Sequence, residues 1–271
     1  MTIDNWLKTA EAQLKAAGIL SPWLDARLLL SHVLEKPKVW LLAHNEEVVP
    51  KEMHSNLTQL LNRRLQHEPL AYIRGQQEFF GRVFSVTNDV LVPRPETEAI
   101  IEKLQTISIE DGDTLIDVGT GSGCIAISAK LEFPELKVYG LDVSKPALSV
   151  AAQNAANLYA NVTFICADII ETTLPHPASI ITANLPYVDR SWQVSPETDF
   201  EPPLALYADS GGLQLIFSLL TLASSATVLR SKGHLLLEAD PRQHAAIIKK
   251  TLALGFYESS HEGFILHFQK H

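Results

Sequence analysis

Apolar residues recur at helical spacing through residue 75, and beyond it short apolar runs alternate with helical stripes. Ile3, Trp6, Leu7, Leu14 and Ala17 form one stripe, and Gly18 offers a stop. Leu24, Leu28, Leu29 and Val33 form a second, and Leu57, Leu60, Leu61 and Leu65 a third between Met53 and His67. No strand-like alternation interrupts them. Helices this short are marginal alone in water, so the pattern predicts a small all-α bundle over residues 1–75.

The period changes at Gln77. Phe79, Phe80, Val83, Phe84 and Val86 gather around Gly81, and Val90, Leu91 and Val92 follow Asn88-Asp89, which reads as a linking β-hairpin over residues 76–92. Strands and helices then alternate. Strands are expected at Thr114–Val118, Lys137–Asp142, Val162–Cys166, Ser179–Asn184 and His234–Glu238. Helices are expected at Cys124–Leu131, Pro146–Leu158, Leu213–Leu229 and Gln243–Leu254, and two closing strands at Phe256–Ser260 and Phe264–Gln269. Apolar strands separated by helices imply an α/β domain over residues 93–271, with a parallel sheet covered on both faces.

Composition narrows the class. Of 271 residues, 46% are hydrophobic and 20% charged, as in an ordinary globular protein. The stretch Leu213–Leu229 is interrupted by polar residues and reads as a buried helix, so no membrane span is expected. Two cysteines, Cys124 and Cys166, exclude a disulfide-stapled framework and fit a reducing, cytoplasmic setting. No zinc-ligand spacing or His-Glu-x-x-His pattern occurs, and no metal is expected. Net charge is −9 and unevenly placed: residues 1–75 carry nine Lys and Arg against eight Asp and Glu, and residues 76–271 carry 13 against 23. Duplex nucleic-acid binders usually present a basic face, so this balance weighs against direct nucleic-acid binding.

The chemistry gathers at predicted strand ends. The first parallel strand runs into Asp117-Val-Gly-Thr-Gly-Ser-Gly123 and a helix. Its glycines let backbone N–H groups approach a ligand, but Gly-x-Gly-x-Gly is not the dinucleotide fingerprint Gly-x-Gly-x-x-Gly. Asp142, ending the second strand, can accept from both ribose hydroxyls, and Asp168, after the third, can face an adenine edge. Together these fit an adenosyl ligand without a pyrophosphate. The fourth strand ends in Asn184-Leu185-Pro186-Tyr187. An amide or aryl amine nitrogen is a poor nucleophile, because its lone pair is delocalised. The Asn184 side-chain oxygen and the Leu185 carbonyl can accept from such an NH2 group and hold it in line with an electrophilic methyl. Tyr187 can stack on the planar group. Pro95-Glu-Thr-Glu98 also suits a helix start, and the cysteines suit core packing.

With these motifs the chain resembles the peptide-chain-release-factor glutamine methyltransferases over nearly its whole length. The resemblance rests on the helical region, the hairpin, Val92-Pro-Arg-Pro-Glu-Thr-Glu98, the glycine loop, the Asn184 tetrapeptide and Glu201-Pro-Pro-Leu-Ala-Leu206. It implies a Rossmann-like class I methyltransferase with a doubly wound sheet, its last strand antiparallel, and a substrate-recognising helical domain. S-adenosylmethionine would be the methyl donor and S-adenosylhomocysteine the product. The acceptor would be the side-chain amide of the glutamine in the Gly-Gly-Gln loop of a release factor. Gly119, Thr120, Gly121, Ser122 and Gly123 would hold the methionine end, Asp142 the ribose, and Asp168 and Ile169 the adenine. Asn184 to Tyr187 would hold the glutamine, Asn184 lying also near the donor, with Asn184 and Tyr187 the catalytic pair. Arg94 and Glu96 would shape the entrance. Leu185 stands where the family usually has Pro, and Ala239-Asp240 where it usually has His-Gly.

Two other readings stay open on the residues alone. A nucleic-acid adenine amino-methyltransferase shares the glycine loop and the Asn-Leu-Pro-Tyr tetrapeptide. A non-catalytic adenosyl-binding module would need only the loop. A monomer is expected.

Overall fold

The computed structural model describes residues 1–168 and 177–271. The chain divides into two compact units, residues 1–76 with 195–200, and residues 77–194 with 201–271.

The first unit holds α1 (Ile3–Ala16), α2 (Pro22–Leu34), α3 (Lys38–Ala43), α4 (His54–Leu65) and α5 (Leu70–Arg74). The Thr2 hydroxyl caps α1 by accepting from Asn5 N, and Pro22 opens α2 where its missing N–H costs nothing. The predicted stripes meet in one core, with Leu14, Ala26, Leu29, Leu30 and Leu57 fully buried. A buried guanidinium ties the unit together. Arg64 donates to Asp25 Oδ2 (2.7 Å), to the Glu68 carbonyl (3.0 Å) and to Glu197 Oε1 (2.6 Å). The charge is thus paired and hydrogen-bonded, as burial requires. Glu197 belongs to the short returning segment Ser195–Phe200.

The second unit begins at Gln77, within β1 (Gln76–Phe79), and continues into β2 (Arg82–Ser85). They turn over Phe80 (φ 47°) and Gly81 (φ 70°), both in the left-handed region that a two-residue hairpin demands. The predicted second apolar run, Val90 to Val92, is not a strand. Val90 N closes a turn on Thr87 O, and Val92 N donates to the Glu201 carboxylate rather than to a neighbouring strand. Next come α6 (Glu98–Leu104), β3 (Thr114–Val118), α7 (Cys124–Glu132), β4 (Lys137–Asp142), α8 (Lys145–Asn157), β5 (Val162–Cys166) and β6 (Ala178–Ala183). α9 (Pro203–Leu206), α10 (Gln214–Ala223), β7 (Leu229–Glu238), α11 (His244–Ala253), β8 (Phe256–Glu262) and β9 (Ile265–Lys270) complete it.

The helix predicted to reach Leu229 stops at Ala223. Ser224 Oγ donates to Thr221 O and Ser225 Oγ pairs with Thr227 Oγ1, local bonds that compete with helix continuation. Leu229 pairs instead with Ala178, lengthening β7.

The seven strands lie in the order β5-β4-β3-β6-β7-β9-β8. β3 pairs in parallel with β4 and β6, β4 with β5, and β6 with β7, while β9 runs antiparallel to both neighbours. The last strand is antiparallel, as expected. Alternate strand residues feed two cores. Ile116, Val118, Ile181, Leu235 and Leu237 pack with α10 and α11 residues such as Leu219 and Ile247. Leu115, Ile180 and Leu236 pack with Ile100, Ile125 and the hairpin side chains Phe79 and Phe84.

Candidate active site

The chain leaves β3 toward one edge of the sheet and leaves β6 toward the other, so the strand order reverses between them. In open α/β sheets the crevice outside the carboxyl ends at such a reversal is where ligands bind. Val118 and Ala183 are paired across it. The residues that follow, Gly119 and Asn184, therefore face each other.

The glycine loop is shaped by its own backbone. Gly119 N and Thr120 N both donate to Leu141 O (2.8 and 2.9 Å), folding the loop against the end of β4. Gly119 has φ 71°, and a Cβ there would stand 3.0 Å from Leu185 Cδ2. Gly123 has φ 79°, and its Cβ would press on Ile127 and Ala151, so its smallness lets α7 and α8 pack closely. Asp117 is wholly buried beneath the loop, accepting from Thr120 Oγ1 (2.6 Å) and Thr182 Oγ1 (2.9 Å). Burial pushes its pKa up to about 6, while the two hydroxyls pull the other way.

A cavity of about 280 Å³ lies at this reversal. Gly119, Thr120, Gly121 and Ser122 line one side, Asp142 and Asp168 another, and Asn184, Leu185 and Pro186 a third. Asp142 accepts from Gly121 N through Oδ2 and from Ser144 N through Oδ1, both 2.9 Å. These bonds fix its carboxylate at the cavity wall, and each oxygen keeps a lone pair for a ligand hydroxyl. Val143 and Ala167 lie beside it as apolar surface. The set suits an adenosyl group: a carboxylate for a diol, apolar walls for a base, and open backbone at the loop.

The Asn184 tetrapeptide is held from behind. Asn184 Nδ2 donates to Thr97 Oγ1 (3.1 Å), and Thr97 Oγ1 donates to Glu238 Oε2 (2.6 Å). Tyr187 Oη donates to Glu238 Oε1 (3.2 Å). Burial raises the Tyr187 pKa and the Glu238 charge raises it further, so the phenol stays protonated. Gln243 Nε2 donates to Tyr187 O (2.8 Å) and Gly211 O (2.7 Å), and a Cβ on Gly212 would collide with Tyr187 O at 1.9 Å. Asp240 caps the turn into α11 in a reciprocal capping box with Gln243. The departure at Ala239-Asp240 thus has a physical role: Ala239 is fully buried and Asp240 starts the helix that positions Gln243.

Two distant sequence motifs meet beside the cavity. Glu201 accepts from Val92 N (3.1 Å) and from Arg94 Nη2, joining the Pro-Arg-Pro-Glu-Thr-Glu and Glu-Pro-Pro-Leu-Ala-Leu segments. Arg94 lines the cavity, and Glu96 does not.

Of the predicted ligand-holding residues, Gly123 serves helix packing, and Tyr187 lies outside the cavity lining with its hydroxyl turned to Glu238. Ile169 lies outside the described residues. Cys124 is a buried thiol whose pKa burial drives up to about 12, which removes it as a nucleophile. Sequence patterning does not single out Thr97, Glu238 or Gln243 as functional residues. The signal that could have found Glu238 is a carboxylate ending the otherwise apolar run Leu235-Leu-Leu-Glu238.

Comparisons with known proteins place the chain in a family. Residues 5–75 match the family model described as PrmC N-terminal domain, and residues 109–253 match that described as Methyltransferase domain. A release factor glutamine methyltransferase from Neisseria gonorrhoeae is 39% identical over 252 residues, covering 91% of this chain and 88% of that protein. One from Deinococcus radiodurans is 34% identical over 260 residues, covering 94% and 92%. Among solved structures, a methyltransferase from Pyrococcus furiosus shares the fold with a TM-score of 0.53 at 19% identity, covering 79% of this chain and 96% of that one. On identity and coverage together, the chain belongs to the release factor glutamine methyltransferase family.

Proposed function

We propose that this enzyme transfers a methyl group from S-adenosylmethionine to the side-chain amide nitrogen of the glutamine in the Gly-Gly-Gln loop of a peptide chain release factor. One observation carries the reading: Asn184, with its amide nitrogen engaged by Thr97, stands across the strand reversal from the glycine loop. S-adenosylmethionine, when bound, supplies an electrophilic sulfonium methyl. The loop residues Gly119 to Ser122 hold its amino-acid end, Asp142 accepts from its ribose hydroxyls, and Asp168 faces its adenine. Asn184 Oδ1 and Leu185 O accept from the two hydrogens of the glutamine NH2 group and fix the nitrogen in line with the methyl. As the nitrogen–carbon bond forms at the expense of the methyl–sulfur bond, positive charge grows on that nitrogen, and the same two oxygens stabilise it. The nitrogen then gives up one of its two protons to solvent, leaving a neutral N-methyl amide and S-adenosylhomocysteine. Pro186 stiffens the loop, and Tyr187 braces it through Glu238. Arg94 shapes the entrance.

The helical unit, matched by the PrmC N-terminal family model, serves as the docking module for the release factor. The protein works in the cytoplasm as a monomer. Among the described residues no helix is long and apolar enough to cross a membrane.

The test is transfer of labelled methyl to three substrates in parallel: an intact release factor, the same factor with its loop Gln changed to Ala, and total ribosomal RNA. Label on the intact factor alone supports the proposal. Label on RNA alone overturns it in favour of an adenine methyltransferase. Donor binding without label anywhere overturns it in favour of a non-catalytic module.

A further inference from the structure

We propose that Glu238 is a positioning residue for methyl transfer. Acting through Thr97, it dictates which end of the Asn184 amide faces the cavity. The inference rests on the methyltransferase reading above and extends it from the Thr97–Asn184 contact to the carboxylate behind that contact.

Hydrogen-bond direction decides the matter. An ionised carboxylate can only accept. Glu238 is 2% exposed, and both of its oxygens are engaged, Oε2 by the Thr97 hydroxyl and Oε1 by the Tyr187 hydroxyl. Thr97 has a single hydroxyl proton, and it goes to Glu238. What Thr97 offers to Asn184 is therefore a lone pair. Only the NH2 end of the Asn184 amide can answer it, so the carbonyl end turns toward the cavity. That is the end an incoming NH2 group needs. A neutral group in place of the carboxylate can donate as well as accept. Thr97 is then free to accept from position 238 and point its own proton at Asn184. The amide flips, and two NH2 groups confront each other.

The same carboxylate holds both ends of the tetrapeptide, Asn184 by way of Thr97 and Tyr187 directly. Three elements bring these groups together: the turn before α6 supplies Thr97, the end of β6 supplies Asn184 and Tyr187, and the end of β7 supplies Glu238. The charges facing Glu238 are Glu96 and Arg94 from the turn, and the neutral Cys124 thiol faces it from α7. Burial lifts the Glu238 pKa above the usual carboxylate range, and the Thr97 and Tyr187 hydroxyls act against that rise. Protonation of this carboxyl is thus a second way to release the amide.

Two measurements test this. The first needs no substrate. In 15N spectra of the ligand-free protein, the Asn184 side-chain NH2 signal is assigned by its loss in Asn184→Ala. It should titrate with pH in the wild type, hold still in Glu238→Gln, and move in Thr97→Val, which keeps the shape and removes the hydroxyl. An Asn184 signal indifferent to both substitutions overturns the proposal, whatever the activity of the protein. The second is kinetic. Glu238→Gln and Thr97→Val should each lower kcat on the release factor by about 10-fold to 100-fold, the range for losing an outer support of a reacting group, with donor Kd unchanged. Thr97→Ser should recover most of the rate. In an Asn184→Ala background, Glu238→Gln should cost little more, because Gln keeps an acceptor for the Tyr187 hydroxyl and the rest of the effect passes through that amide. Independent, multiplying losses overturn the proposal. Should Glu238→Gln fail to fold, the contrast between Thr97→Val and Thr97→Ser decides by itself. A wild type inactive on release factors would remove the proposed substrate, and the 15N titration would still decide the role of Glu238.

Discussion

At the scale of single residues, the cavity separates groups that hold the donor from groups that hold the acceptor. Asn184 belongs to the second set. Truncating it removes a hydrogen-bond acceptor aimed at charge that grows only during transfer. Asn184→Ala should therefore slow methyl transfer by about 100-fold to 1,000-fold, or about 2.7–4 kcal/mol. Donor affinity measured by calorimetry should stay near the wild-type value. Equal rates in variant and wild type would refute the role. Asp142 belongs to the first set, and it also caps two backbone amides, one in the loop and one at the α8 entrance. Asp142→Ala should raise the donor Kd, with a loss of about 1–3 kcal/mol from the uncompensated groups. Transfer at saturating donor should be less affected. A kcat defect with unchanged donor Kd would mean that the two sets had been assigned the wrong way round.

At the scale of elements, β3, β4, β5 and β6 are legible in the sequence because each is a short, largely apolar run that ends in, or is followed within two residues by, a chemically pointed residue. The glycine loop and the tetrapeptide are legible for the same reason: their backbone demands and side-chain chemistry are local. Thr97, Glu238 and Gln243 are not, because their meaning depends on three elements meeting behind Asn184, and periodicity carries no long-range pairing. The end of α10 escapes an apolar count because Ser224, Ser225 and Thr227 act through side-chain bonds that such a count ignores. The returning segment Ser195–Phe200 is invisible too, since its tie to the helical unit is a carboxylate reaching a buried arginine. Asn154 on α8 is a further case. It donates to Ser122 O and Ser85 O and accepts from Ser85 N, so one side chain joins the glycine loop to the hairpin. Asn154→Leu leaves three backbone groups without their partner, and the buried one alone costs about 1–3 kcal/mol. Its melting temperature should fall measurably. A weaker donor affinity should accompany the fall, because Ser122 belongs to the loop. An Asn154→Leu protein with wild-type melting would show that water replaces these bonds at no cost.

At the scale of the whole molecule, two buried titrating sites pull stability in opposite directions over the same acid range. His267 sits in the sheet against His234, with Nδ1 of His234 2.9 Å from Nε2 of His267. Burial lowers the His267 pKa to about 4, and the neighbouring His234 and Lys103 add to the lowering. Burial also lowers His234, with Arg230 adding to the effect and Asp113 opposing it. A depressed histidine favours the neutral form in the fold. Its contribution is present above the unfolded value near 6.5 and is lost as pH falls toward 4. Asp117 has the opposite sign. Its pKa is raised from 3.8 to about 6, so its contribution is present below the unfolded value and is lost as pH rises through 6. Between these limits the two slopes oppose each other, and the wild type should show a shallower acid response than either site alone would give. His267→Gln keeps a polar side chain against His234 and removes one titration. The melting temperature of the wild type relative to His267→Gln should therefore drop between about pH 7 and about pH 5, while relative to Asp117→Asn it should rise. The comparison uses differences between proteins at each pH, so carboxylates common to all of them cancel. A wild-type advantage over His267→Gln that stayed constant across that range would mean that the histidine pair is solvated in the fold and titrates normally.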